Sequence, residues 1–334
     1  MLKGRLASLT TAALTLAVLA VPAVATAKVE VGVSDQLPQT FADPFFKGAK
    51  LTIARYIVPY DVVSDAGQTA KLEAWLTAAK ADNEKILISF EHSRKSKAAG
   101  GKVPSVSTYT KDVTAFNKKY GKLIKDVSPW NEVNRQYQPA RGEGQPTYNK
   151  VKQVAQYYGV ALKVFKGKNI VALDVLDQPN VKDTLKYIAK FKSEVKKQKL
   201  KPVKIWGLHP YSDINRFSQS RTKAMLKATA KGDVWLTEAS GIVEFGRSFP
   251  HDVNRAAAAD KCMFTITKMD KRIKRLYRFG WLAGGGFDAG VINEDGTPRP
   301  AYAVVKHRTA AKCKKPSGSA GPKTSGTARA AVGF

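Results

Sequence analysis

The sequence is poor in the residues that hold metals or close disulfides, and poor in acids. Across 334 residues there are four histidines and two cysteines, and 27 Asp plus Glu stand against 56 Lys plus Arg. No Cys-x-x-Cys and no His-Glu-x-x-His occurs, and His92, His209, His251 and His307 are far apart, so no metal site and no cofactor are expected. Long apolar runs are missing beyond the N-terminal region, which leaves nothing in the body to span a bilayer. A Gly-rich phosphate turn is also lacking. The first apolar run is followed by Val33-Ser34-Asp35-Gln36, which argues against a doubly wound open sheet.

Hydrophobic residues make up 43% of the chain and are spread along it, as in a packed globular protein. Lys3 and Arg5 precede an apolar run from Ala12 to Val24, and Ala25-Thr26-Ala27 supplies the small residues of a cleavage site. The run is too short for a membrane anchor, so residues 1–27 read as a secretory signal. Export to an oxidising compartment favours pairing of Cys262 with Cys313, worth on the order of 4 kcal/mol by loop entropy. The Lys, Gly, Ser, Pro and Ala of residues 314–334 offer little to bury and read as a flexible basic tail. This leaves residues 28–313 as the folded body, expected to be a monomer.

The formal net charge is +29, and removal of Lys3 and Arg5 with the leader leaves +27. Such a field draws a protein to anionic polymers, so acidic envelope glycans or teichoic-type polymers are expected partners, with salt weakening the attraction. Nucleic acid is disfavoured as a partner, because no recognition motif interrupts the pattern of the body and the protein is expected to leave the cytoplasm.

Short apolar or β-branched runs alternate with Lys-rich segments of helical period. The runs are Val29–Val33, Leu51–Val58, Ile86–Phe90, Val127–Trp130, Ile170–Val175, Val203–Leu208, Val234–Thr237 and Tyr277–Leu282. Between them, segments such as Gln68–Asn83 and Asn254–Arg275 carry apolar residues three and four apart, as in Leu72, Trp75, Leu76 and Ala79. Eight βα repeats predict an α/β fold of a single (β/α)₈ barrel. Trp130, Trp206 and Trp235 are expected to pack between barrel and helices.

In such a barrel the site lies at the C-terminal ends of the strands, so polar residues that close an apolar run are the informative ones. Glu91-His92 close the third run, Asn131-Glu132 the fourth, His209-Pro210-Tyr211 the sixth and Glu238 the seventh; Trp281 lies in the eighth. Period two puts Glu238 on the face of Val234 and Leu236, and Arg55 on that of Leu51 and Ile53, which places both at the mouth if those faces line the barrel. Two glutamates on different strands suit glycoside hydrolysis, in which a protonated acid serves the leaving oxygen and a carboxylate attacks the anomeric carbon. The acid needs a raised pKa and the nucleophile an ordinary or lowered one.

With Trp130-Asn131-Glu132, His209-Pro210-Tyr211, Thr237-Glu238, Arg55 and the closing Asp295-Gly296-Thr297-Pro298-Arg299-Pro300-Ala301-Tyr302, the sequence resembles the clan A glycoside hydrolases over its whole mature length except the tail. The resemblance implies a retaining (β/α)₈ enzyme with Glu132 as acid/base after strand four and Glu238 as nucleophile after strand seven. It implies that Asn131 bonds the sugar 2-hydroxyl, that Arg55 and Tyr211 partner Glu238, and that Trp281 is a stacking floor. Glu91, His92 and His209 are further candidates for substrate contacts. Leu282, where clan members often carry another subsite residue, is a departure. The alternative reading is a non-catalytic barrel that binds envelope glycans or anionic polymers through its charge.

Overall fold

The computed structural model describes Met1 and residues 29–137, 144–178 and 180–319. Of the leader expected over residues 1–27, residues 2–27 lie outside the described residues, as do residues 320–334 of the tail expected over 314–334. Strands β1 (Glu30–Ser34), β2 (Ile53–Pro59), β3 (Lys85–Glu91), β4 (Asp126–Ser128), β5 (Asn169–Leu176), β6 (Ile205–His209) and β7 (Asp233–Ala239) follow in order. After them come β8 (Glu244–Phe245), β9 (Ile273–Phe279) and β10 (Phe287–Asp288). Parallel pairing in the order β1-β2-β3-β4-β5-β6-β7-β9 closes an eight-stranded barrel, while β8 and β10 pair antiparallel beside it. The predicted single α/β barrel is the observed fold.

Alternation along the strands separates two apolar layers. Ile53, Leu87, Val171, Ile205, Trp235 and Tyr277 fill the barrel interior, whereas Ala54, Tyr56, Ile86, Ile88, Val234 and Leu236 join the larger core shared with the helices. The helix Ala66–Ala81 shows the local logic. Asp65 caps it by accepting from the Gln68 backbone N–H at 3.1 Å, and Leu72, Trp75, Leu76 and Ala79 form its buried stripe.

Three expectations need correction here. The helix expected over Asn254–Arg275 ends at Ile266, and the eighth barrel strand begins at Ile273 rather than near Tyr277. Its basic residues imitate a solvated helix face, yet they are paired with distant acids. Arg275 meets Glu30 at 2.8 Å and Asp126 at 2.5 Å, and Arg278 meets Asp260 at 3.0 Å. Trp235 lies inside the barrel under the Arg275 guanidinium, 4.1 Å from the ring centroid, instead of between barrel and helices.

Cys262 and Cys313 form a disulfide that ties the helix Val253–Ile266 to the segment following the last helix, Pro300–His307. Among the described residues no helix is long and apolar enough to cross a membrane.

Glu84, just before β3, is 3% exposed, and neither carboxyl oxygen has a hydrogen-bond partner among the described residues. Burial, aided by the Asp82 charge, pushes its pKa up to about 8. The folded state therefore holds a proton that the unfolded chain releases near the ordinary value of 4.5. Stability is fullest below that value and falls as pH rises toward about 8. Glu84→Gln removes the penalty; chemical denaturation at pH 8 should show a gain of ~4 kcal/mol that vanishes near pH 4. An equal gain at both pH values would contradict this origin.

Candidate active site

Arg55 organises the mouth of the barrel. It rises from β2 with no exposed surface and spends its guanidinium on four strands. Nε donates to Ser89 at 2.9 Å and Nη1 to Ser34 at 3.0 Å and Glu238 Oε2 at 2.6 Å. Nη2 donates to Asn131 Oδ1 at 2.6 Å and lies 3.4 Å from Asp174 Oδ2. A buried cation with this many acceptors is a structural hub as well as an electrostatic one.

Glu238 reaches this hub by an irregularity and not by simple alternation. Val234 and Leu236, which share a face with Glu238 under strict alternation, point to the helix layer. Between Leu236 and Ala239 the strand spends three steps against two on β9, from Leu276 to Arg278. This bulge turns Thr237 and Glu238 inward together. Thr237 Oγ1 donates to Asp174 Oδ1 at 2.7 Å, and Glu238 takes Arg55 on Oε2 and the Tyr211 hydroxyl on Oε1 at 3.0 Å. Burial and the charges of Glu238 and Glu132 push the Tyr211 hydroxyl well above its usual range, so it stays a donor. Gly207 leaves room for this layer, since a Cβ there would fall 1.7 Å from Asp174 Oδ1.

Glu132 follows β4 in a left-handed conformation, with φ of +44°, a strained choice for a side-chain-bearing residue. The backbone around it is fixed by Asn131 N–H to Phe90 O at 2.7 Å and Val133 N–H to Asp174 O at 3.1 Å. Its carboxylate meets His209 Nδ1 at 3.1 Å and Arg135 Nη1 at 3.2 Å. Counting protons on this chain assigns the histidine. Thr237 gives its only hydroxyl proton to Asp174, so its oxygen accepts from His209 Nε2 at 3.0 Å. One proton then lies between His209 Nδ1 and Glu132 Oε1. Burial would raise the Glu132 carboxyl, but the His209 hydrogen bond and the Arg135 charge outweigh it and hold the carboxyl well below its usual value. The raised pKa expected for Glu132 is not found, because the His209 hydrogen bond and the Arg135 charge both favour the carboxylate.

One donor atom each of Glu132, His209 and Glu238 lie within 4.8 Å of one another. Arg55 and Arg135 already place positive charge on both carboxylates, so the cluster is arranged for ion pairing more than for a cation.

The structure therefore brings together Arg55, Asn131, Glu132, His209, Tyr211 and Glu238. Glu91 and His92 form a neighbouring group: Glu91 pairs with Arg94, and Gln145 bonds Glu91 at 3.3 Å and His92 at 3.2 Å. Neither makes a hydrogen bond to the two glutamates. Trp281 is corrected as a sugar floor. Its ring is fully buried, edge-on to Phe46 and Tyr302, with its backbone N–H on Asp35, and no face is open for stacking. Asp174, Arg135 and the serines of β1 and β3 join this cluster without being singled out in the sequence, and Thr237 enters the sequence reading only as the neighbour of Glu238. Of the former, only Asp174 left a trace, as an acid inside an otherwise apolar run.

No protein family and no curated sequence matches the chain. Solved structures do. Xylanase B from Clostridium stercorarium F9 superposes with a TM-score of 0.62 at 12% identity, over 83% of this chain and 96% of the other. Xylanase 10B from Thermotoga maritima gives 0.58 at 12%, covering 84% and 94%, and fungal β-1,4-galactanases give 0.58 at 14%, covering 83% and 94%. The chain shares the (β/α)₈ barrel fold of these glycosidases, and at this identity the likeness shows the barrel alone.

Proposed function

We propose that the protein is an exported retaining glycoside hydrolase, with Glu238 as nucleophile and Glu132 as acid/base, acting on a polysaccharide or oligosaccharide. The carrying observation is the approach of the two carboxylates. One oxygen of each carboxylate lies within 4.8 Å of the other's, an approach that favours direct attack, whereas inversion needs a wider gap to seat water. Glu238 attacks the anomeric carbon while the bond to the leaving oxygen breaks. The proton shared between Glu132 and His209 passes through Glu132 to that oxygen. Water then attacks the glycosyl-enzyme ester and returns its proton to the Glu132–His209 pair, which restores the starting state. Asn131, oriented by Arg55 through its carbonyl, is left with its amide donors for a sugar hydroxyl.

The proposal is tested by stereochemistry. Hydrolysis of aryl β-glycosides followed by NMR should show the β-anomer as the first product, and a 2-fluoroglycoside should label Glu238. First formation of the α-anomer contradicts the double displacement. Glycan binding with no turnover of any substrate favours the non-catalytic barrel.

Arg135 supplies a pH prediction. Turnover needs the shared proton, which the pair loses as pH rises, and the Arg135 charge favours its loss. Arg135→Gln should move the alkaline limb of kcat/KM upward by about one unit, leaving the acid limb in place. Because the limb belongs to the Glu132–His209 pair, it is read as one macroscopic value. An unmoved alkaline limb would show that Arg135 does not govern this proton.

A further inference from the structure

The end of the barrel opposite the site carries a feature that the chemistry above does not use. A groove of about 550 Å³ lies where the helices Val181–Lys197 and Ser220–Thr229 end, beside the first residues of β6. Lys192, Lys196, Lys199 and Lys231 rim it, and Leu200 and Val203 contribute to its floor. His209, at the far end of the same strand, belongs to the catalytic mouth, so groove and mouth sit at opposite ends of β6.

Lysines near helix C-termini ordinarily complement the helix dipole. That accounts for Lys196 and Lys197 in the last helical turn, but not for the density of charge that continues beyond it. Residues 186–204 hold eight lysines and a single acid, Glu194, which pairs with Lys197 at 3.4 Å. Lys192 bonds only the Ala228 carbonyl, at 3.1 Å. Lys196, Lys199 and Lys231 make no ion pair among the described residues. Four like charges around one apolar-floored groove repel each other unless an anion enters.

We propose that this groove binds a phosphodiester-linked polyol polymer of the cell envelope and tethers the protein with its catalytic mouth facing away from the polymer. Three observations choose the ligand class. The rim is lysine without arginine, so it offers mobile point charges of the kind lysine gives to phosphate and no rigid fork for one fixed anion geometry. The floor of Leu200 and Val203 suits short carbon chains between phosphates. Trp206, the groove's aromatic residue, is 2% exposed with its indole N–H on the Lys231 carbonyl, so no platform exists on which nucleic acid bases would stack.

The test uses the mature full-length protein, with poly(glycerol phosphate) as the probe and single-stranded DNA of equal charge as the competitor class. Affinity is measured across a salt series for wild type, for Lys196→Glu/Lys199→Glu/Lys231→Glu, and for Lys71→Glu/Lys111→Glu/Lys118→Glu, an equal charge change on other exposed helix positions. The groove triple should lose at least ~10-fold in affinity and flatten the salt slope by about two to three ions. The control triple should lose less than ~3-fold, as expected for the long-range field alone. Thermal unfolding of both triples checks that the fold persists. Equal losses in the two triples, no binding by wild type, or tighter binding of DNA than of poly(glycerol phosphate) would each overturn the assignment. Binding is read without any substrate, so its failure is separate from failure of the glycosidase reading; turnover of a soluble aryl glycoside should be unchanged in both triples.

Discussion

Glu238→Gln should lower kcat/KM on every glycoside by on the order of 10⁴-fold, because no other group stands ready to bond the anomeric carbon. The amide keeps the shape of the side chain and its contact with Tyr211, and Arg55 retains Asp174 as a counter-charge, so the fold should survive. Glu132→Gln should behave differently, and the difference defines the two roles. A leaving phenol of low pKa departs without a proton, so formation of the glycosyl-enzyme should be nearly unaffected for activated aryl glycosides. Hydrolysis of that intermediate should slow, and substrates with sugar leaving groups should be lost almost completely. Steady-state and burst kinetics over a series of aryl leaving groups separate these cases. If both variants lose the same factor across the series, the roles given to the two glutamates are wrong.

The same pair shows what could be read from the sequence and what could not. Glu132 and Glu238 stand out as acids closing apolar runs, and that reading needs only the βα repeat and the rule that strand C-termini carry the chemistry. The route by which Glu238 arrives at the mouth was hidden. Strict alternation places it with Val234 and Leu236, and only the extra residue against β9 brings it in beside Thr237. Asp174 and Arg55 are 119 positions apart, so nothing local could show that each makes the burial of the other tolerable. Arg135 lies three residues beyond Glu132, but its contact depends on the left-handed turn at Glu132, which a pattern of residue types does not encode. The eighth strand was misplaced for a related reason. Arg275 and Arg278 look solvated until the acids that receive them, contributed by other strands and a helix, are known. Trp281 misled in the opposite direction, since a tryptophan after the last strand serves core packing as readily as sugar stacking.

Arg55→Met should give the largest loss of stability, about 3–5 kcal/mol by chemical denaturation at pH 7. Methionine fills most of the volume, so the cost is electrostatic: Asp174 and Glu238 would be left as neighbouring carboxylates without their shared cation, one fully buried and the other nearly so. The sign of the pH dependence follows. Carboxyls deprived of Arg55 and forced together have raised folded pKa values, so they are tolerated when protonated, and the deficit should shrink as pH falls toward 4. A second substitution separates charge from packing. Arg55→Met/Asp174→Asn removes one stranded charge while keeping an acceptor for Thr237, and should recover about half of the loss at pH 7. Activity should not return in the double variant, because Glu238 and Asn131 still lack the guanidinium that aims them. A deficit independent of pH, with no recovery in the double variant, would mean that Arg55 acts by filling space and that the ion-pair hub is not what holds the mouth together.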